Sequence, residues 1–244
     1  MLSLDEVENI RQQLTVSLEA PDITYGLSRA FRCALKELDL YRNHFISRAQ
    51  LAETPKNVIH PHVQIGGGNH RIEGFFNIDI VPPADLVWDI RESIPLSESS
   101  VELLFSEHFL EHIDYPRSVK HYIAELYRVL RSDGQVITGV PDAEIVLNAY
   151  QKRDCDLFAT IRDRWYANRN CLNDFNTYLD LVNYVFRDQD DDEKYTPHLW
   201  AYDYEKVSNL FLQVGFKRVE PWEFNSKLGN PKRQWGSLYV IATK

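Results

Sequence analysis

Residues 63–79 read VQIGGGNHRIEGFFNID, and this stretch decides the fold. A short apolar run ends in Gly66, Gly67 and Gly68, and a second apolar run ends in Asp79, followed by Ile80. In a parallel α/β sheet, glycines after the first strand let a ligand approach the backbone, and a carboxylate ending the second accepts hydrogen bonds from ribose hydroxyls. The dinucleotide fingerprint GxGxxG would place its third glycine at position 71, for close packing of helix on strand. Arg71 stands there instead. Asp79 also comes early, thirteen residues after Gly66 (79 − 66), where a dinucleotide fold spaces the pair by about 20. Both departures disfavour a nicotinamide or flavin dinucleotide, and the short spacing predicts a first crossover built from a loop or a stub of helix.

Working outward, the pattern predicts strands over 62–65, 75–80, 84–90 and 101–105, then a helix over 116–130 with Pro116 at an early position. Ser132, Asp133 and Gly134 read as its stop, glycine after a helix being a common terminator. Residues 135–140 read as a fifth strand, 203–214 as a helix ended by Gly215, and 216–224 and 238–242 as two more strands. Strands that alternate with helices or short crossovers predict an α/β fold, a doubly wound and mostly parallel sheet. Ligands of such sheets lie beyond the carboxyl ends of the strands, at the switch in strand order. The third predicted strand ends in Asp89 and Ile90, a carboxylate for an adenine amino group and an apolar side chain for its ring. The fourth ends in Ser106 and Glu107. Four successive strand ends thus carry residues suited to one nucleoside-bearing ligand.

Two regions lie outside this pattern. Residues 4–18 and 27–49 read as helices, a packing appendage, a dimer contact or a lid over a pocket. Residues 143–197 are dense in aromatics and charges and read as a helical insert. Its arginines, among them Arg153, Arg162, Arg164 and Arg169, suit a cap that holds a carboxylate or phosphate on a small substrate. The acidic run DQDDDE at 188–193 reads as a solvated loop. The division expected is an N-terminal helical extension over 1–58 and a second domain over 59–244, with the insert inside it.

Hydrophobic residues at 44% and charged residues at 26% exclude wholesale disorder, and 244 residues suffice for a core without disulfides. A formal net charge of −9 disfavours a nucleic-acid partner. The three cysteines, Cys33, Cys155 and Cys171, are too scattered for a disulfide framework. The amphipathic start and the lack of any run near 20 apolar residues favour a cytoplasmic protein with no membrane partner.

With these residues in place, the chain resembles class I S-adenosylmethionine-dependent methyltransferases, and within them the small-molecule kind called type 11. The resemblance is carried by VQIGGGN with NIDI, by DIRESIPLSESSVELLFSEHFLEHI, by ELYRVLRSDGQVITGVPD, and later by HLWAYDYEKVSNLFLQVGFKRVE. It covers about residues 60–142 and 198–244. It implies a seven-stranded sheet with an antiparallel last strand and S-adenosyl-L-methionine as cofactor. It places Gly66 and Gly68 along the methionine, Asp79 on the ribose, Asp89 near adenine, and the Ser106–Glu107 turn at the methionine end. One position departs. Many members carry an acid two residues before the first glycine, and this chain has Gln64.

The expected function is methyl transfer to an oxygen or nitrogen of a small-molecule acceptor. A non-catalytic, cofactor-binding interaction module is the alternative, with Gln64 as its support, and a nicotinamide oxidoreductase ranks behind it. Because the methyl donor brings its own leaving group, a base is needed only for a protonated acceptor, and His108, Asp142 and His198 are the candidates. HFLEH at 108–112 also matches HxxEH, which on one helical face could bind zinc. The family itself shows a similar segment after its fourth strand, so Glu111 and His112 are expected to cap or bond within a helix start, with no metal at the site.

Overall fold

The computed structural model describes residues 2–52, 60–163, 176–187 and 197–244, with backbone alone at 50–52 and 161. Seven strands form one sheet: β1 (His62–Ile65), β2 (Phe76–Asp79), β3 (Leu86–Val87), β4 (Val101–Glu107), β5 (Leu130–Pro141), β6 (Arg218–Pro221) and β7 (Ser237–Thr243). Their order is β3-β2-β1-β4-β5-β7-β6. The first five run parallel, and β7 lies antiparallel to both β5 and β6. The order departs in opposite directions from β1 and β4, so the switch point lies between them, at the carboxyl ends that hold Gly66 and Glu107.

The alternation of side chains along the strands sorts the core into two faces. Val63, Ile65, Leu104, Val136, Val240 and Ala242 face α3 (Arg117–Val129) and α7 (Tyr204–Val214), which contribute Val119, Ile123, Leu126, Val207, Leu210 and Phe211. Phe105 and Ile137 face the other way, onto Ile72, Phe75, Trp222 and Leu228. Among the described residues this second face is covered by loops. The reason is length. Ten residues (66–75) join β1 to β2 and six (80–85) join β2 to β3, whereas a helical crossover takes a dozen or more. The early Asp79 is the sequence mark of that short connection.

Three boundaries differ from the sequence pattern. α3 stops at Val129, and Leu130 is already extended and opens β5. Gly134 is therefore no helix stop. It lies inside β5 with φ below zero, while Asp133 takes the left-handed conformation at φ 59°. A Cβ at position 134 would come within 2.9 Å of the Arg131 carbonyl, so close backbone approach requires the glycine. The strand expected at 84–90 is confined to Leu86–Val87, and that at 216–224 to Arg218–Pro221. At the end of α7 the reading holds: Gly215 takes φ 118° and closes the helix that Asp203 caps.

α1 (Leu4–Leu18) and α2 (Tyr25–Ala52) form a hairpin of helices beside β3. α2 is tied to the sheet by Asn43 Nδ2 donating to the Ile80 carbonyl at 3.1 Å and by the His44 ring against Trp88, 4.3 Å between centroids. The insert is helical where described: α4 (Ala143–Lys152), α5 (Cys155–Ile161) and α6 (Tyr178–Arg187). They share a small core of Ala143, Val146, Ala149, Leu181 and Val185. Arg164, Arg169 and the run at 188–193 lie outside the described residues. No helix among the described residues is long and apolar enough to cross a membrane.

Candidate functional site

A cavity of about 660 Å³ opens at the carboxyl ends of β1, β2 and β4, a size typical of small-molecule sites. Gly66, Gly67, Gly68, Asp79, Ile80, Asp89 and Ile90 all line it. Leu40 of α2 lines it too, so the N-terminal extension supplies part of the wall.

The glycine loop is fixed by its own bonds. Gly66 and Gly68 take φ 67° and 51°, the left-handed region that favours glycine. The Gly66 N–H donates to the Ile78 carbonyl at 2.9 Å. A Cβ at Gly66 would meet the Phe109 ring at 2.6 Å. Gln64 is buried on the opposite side of β1 from Val63 and Ile65. Its Nε2 donates to the His70 carbonyl at 2.6 Å and its Oε1 accepts from the Ile72 N–H at 2.9 Å. A carboxylate cannot donate, so only the amide bonds both the His70 carbonyl and the Ile72 N–H in the middle of the loop. The departure at position 64 thus has a structural role, and Gln64 does not line the cavity.

Asp79 Oδ2 accepts from the Gly68 N–H at 2.9 Å and Oδ1 from the Val81 N–H at 3.0 Å. These bonds aim the carboxylate along the cavity rim and leave it lone pairs to accept ligand hydroxyls. Asp89 is gripped by Arg91, Nε to Oδ1 at 2.9 Å and Nη2 to Oδ2 at 2.7 Å, and Arg91 reaches on to Glu37 of α2 at 3.1 Å. Hydrogen bonding to Asp89 raises the Arg91 pKa above its ordinary value.

Ser106 and Glu107 do not line the cavity, contrary to expectation. Ser106 Oγ is buried 3.3 Å from Thr138 Oγ1. Glu107 Oε1 accepts from the Tyr239 hydroxyl at 2.7 Å and from the Asn230 N–H at 3.1 Å. The Arg233 guanidinium donates to the Glu107 carbonyl at 2.9 Å. Glu107 therefore anchors the β6–β7 loop, and through it Asn230, Lys232 and Arg233 reach the cavity wall. The sequence reading missed these residues. Their signal is the turn GNPKR at 229–233, two basic side chains just before the last strand.

Of the three base candidates, His108 and His198 line the cavity and Asp142 does not. Asp142 is the N-cap of α4, accepting from the Glu144 N–H at 2.9 Å, and burial raises its pKa. His108 sits in the left-handed region at φ 51°, with Nε2 2.7 Å from Ser237 Oγ. Ser237 donates its one hydroxyl hydrogen to the Arg233 carbonyl at 2.6 Å. His108 Nε2 must then be the donor and Nδ1 carries the lone pair. Burial, with Arg233 and two neighbouring histidines adding, pushes the His108 pKa well below its usual value. His198 is buried, with Nδ1 2.9 Å from the Val185 carbonyl. A carbonyl only accepts, so Nδ1 bears the hydrogen here and Nε2 points inward.

His108 Nδ1 and His198 Nε2 both lie near Glu111. It belongs to a 3-10 turn (Leu110–His112) after β4 and is 1% exposed. His108 Nδ1 is 3.7 Å from Glu111 Oε1, and His112 Nε2 and His198 Nε2 are each 3.9 Å from it. Neither Glu111 oxygen has a hydrogen-bond partner. The expectation that Glu111 bonds within a helix start fails, because a 3-10 turn replaces the helix. The disfavoured alternative, His108 and His112 side by side on one helical face, has no helix to stand on for the same reason.

The insert contributes Tyr184 to the cavity. Its arginines, where described, point elsewhere: Arg153 lies over the Tyr150 ring at 4.3 Å and Arg162 pairs with Asp163 at 3.1 Å. A second, adjoining cavity of about 170 Å³ is lined by His108, Tyr184, His198, Lys232 and Arg233, among others.

Residues 79–138, from the end of β2 into β5, match the family model described as a methyltransferase domain. No curated protein matches the chain. Among solved structures, an S-adenosylmethionine-dependent methyltransferase from Methanosarcina mazei is 16% identical, with 78% of this chain and 94% of that one covered and a TM-score of 0.47. The 1,6-didemethyltoxoflavin-N1-methyltransferase of Burkholderia thailandensis, crystallised with its substrate and S-adenosylhomocysteine, is 14% identical, with 100% and 91% covered and a TM-score of 0.43.

Proposed function

We infer that this chain, a class I S-adenosylmethionine-dependent methyltransferase by its sheet order and its methyltransferase-domain match, carries the methyl group to an oxygen or nitrogen of a small-molecule acceptor. The observation that carries the reading is the convergence of Gly66, Gly68, Asp79 and Ile90 on one cavity that continues past His198 toward Lys232 and Arg233. The cofactor supplies an electrophilic methyl on a sulfonium and its own leaving group. The chain's part is to align it with an acceptor and exclude water.

In this reading Asp79 accepts from the ribose hydroxyls and Ile90 packs on the adenine ring. The Gly66–Gly68 backbone, lacking Cβ atoms, lies along the methionine. Tyr184 and the β6–β7 loop bound the acceptor side, where Lys232 and Arg233 suit an acceptor that carries an anionic group. His108 is neutral near pH 7, with its one ring hydrogen on Nε2, and can accept a proton from the acceptor at Nδ1.

Calorimetry with S-adenosylmethionine, S-adenosylhomocysteine and NAD tests the donor, and transfer of labelled methyl to a panel of hydroxyl and amine acceptors tests the reaction. Binding of both sulfur ligands and not of NAD is expected. Binding of NAD alone sinks the reading.

A further inference from the structure

The group that the methyl-transfer reading leaves unexplained is Glu111. A carboxylate that is 1% exposed and has no hydrogen bond to either oxygen is costly unless something positive or protic meets it. What surrounds it is imidazole, with the Tyr202 phenol near enough for Glu111 to raise its pKa. Glu111, His112 and His198 present ligand atoms that all lie within 4.8 Å of one another. His198 is held as a metal-bound histidine is held: its Nδ1–H is spent on the Val185 carbonyl, which fixes the ring and turns the Nε2 lone pair toward Glu111 Oε1. The backbone fixes the pair as well, since the Leu199 N–H donates to the Glu111 carbonyl at 2.7 Å. Glu111 Oε1 and His198 Nε2 stand 3.9 Å apart, beyond hydrogen-bond length, and a cation between them meets the carboxylate that has no hydrogen bond.

We propose that Glu111, His112 and His198 bind one divalent transition ion of the zinc type in the wall of the cavity. Two neutral imidazoles and a carboxylate are the donor set that such ions take, in preference to magnesium or calcium. Metal–ligand bonds of about 2.0–2.2 Å place tetrahedral ligand atoms roughly 3.4 Å apart, so seating the ion draws the two 3.9 Å pairs together by about 0.5 Å and brings the third pair, within 4.8 Å, to the same spacing. Three protein ligands leave a position free, and His112 and His198 both line the main cavity.

The second half of the proposal rests on the methyl-transfer reading. The free position selects an acceptor whose hydroxyl becomes a ligand, and the ion lowers the pKa of that hydroxyl. The hydroxyl proton passes to water, and the oxygen bonds to the methyl carbon as the carbon–sulfur bond breaks. The electron pair of that bond cancels the sulfonium charge. The site therefore favours oxygen over nitrogen as the acceptor atom.

The test uses the tag-free full chain and Co2+ as the probe. One equivalent of Co2+ should bind with the visible absorption of a four- or five-coordinate site, and Zn2+ should displace it. Glu111→Gln, which keeps the shape of the side chain, and His198→Ala should each weaken uptake by about a hundredfold or more. Zn2+ should raise the melting temperature of the native chain and leave that of Glu111→Gln unchanged. Asp79→Ala should keep the metal while binding S-adenosylhomocysteine more weakly, so the two readings can fail separately. Lack of stoichiometric Co2+ uptake by the native chain, or uptake that survives both substitutions, overturns the metal site. Stoichiometric metal with no binding of S-adenosylhomocysteine removes only the acceptor half.

Discussion

The two walls of the cavity are built by opposite means. The wall of β1, β2 and the loop after β3 is made from neighbours in sequence. Gly66, Gly68, Asp79 and Asp89 lie within one stretch of chain, and backbone bonds fix most of their geometry. The opposite wall is gathered from distant pieces: His112 after β4, Tyr184 in the insert, His198 before α7, Lys232 and Arg233 before β7. Its geometry depends on side chains that cross the fold, Glu107 to Tyr239 and Asn230 above all. The first wall is suited to a ligand common to many enzymes. The second can be altered piece by piece, which suits it to setting the acceptor.

The sharpest way to break this contrast is Gly66→Ala. The position has φ 67°, and the added methyl would sit 2.6 Å from the Phe109 ring. Cofactor binding measured by calorimetry should fall by more than about a hundredfold, since strain and clash act together at the ligand's backbone contact. Retained affinity would show that the loop is not the methionine side. Asp79→Ala should act next, weakening cofactor binding by about 1–3 kcal/mol, the cost of losing a charged acceptor. Unchanged affinity would mean that the ribose is misplaced. Gln64→Glu should leave the cavity lining intact but cost about 1–2 kcal/mol in denaturant unfolding, because the carboxylate cannot donate to the His70 carbonyl.

The same contrast decides what could be read from sequence. The seven strands follow from local runs, the antiparallel last strand is implied by the family resemblance alone, and the loop between β1 and β2 follows from one spacing, Gly66 to Asp79. Gln64 looked like a missing charge because a sequence shows residue type and not the two backbone groups it joins. Ser106 and Glu107 were placed in the cavity by position along β4. Alternation and a bulge-like shift between Val101 and Leu103 decide where such side chains point, and neither is visible from composition. The Glu111 cluster was hidden for a different reason. HxxEH suggests a helix that pairs His108 with His112, and the positive φ of His108 removes that helix. His198 stands 87 residues further on (198 − 111) and is brought in by the backbone bond that its neighbour Leu199 makes to Glu111.

A pH series probes the second wall and its neighbours with a smaller effect. Burial depresses the pKa of His108, and more mildly those of His44 and His60, below the ordinary 6.5. The unfolded chain then takes up protons that the folded chain refuses as pH drops below about 6.5, so stability is full above that pH and falls beneath it. The melting temperature should be lower at pH 5.5 than at pH 7.5, and His108→Asn should flatten part of that slope. A flat profile in the native chain would contradict a neutral, buried His108.

The smallest expected effect separates position along a strand from position in the site. Ser106 ends its strand beside the glycine loop, yet its hydroxyl is buried against Thr138 and away from the cavity. Ser106→Ala removes one weak neutral hydrogen bond, worth about 0.5–1.5 kcal/mol to the fold. Cofactor affinity should change by less than about twofold, since no ligand contact is lost. A tenfold loss would place Ser106 on the ligand and move the methionine end toward β4. Stability reduced at constant affinity would confine the cofactor to the wall that neighbouring residues build.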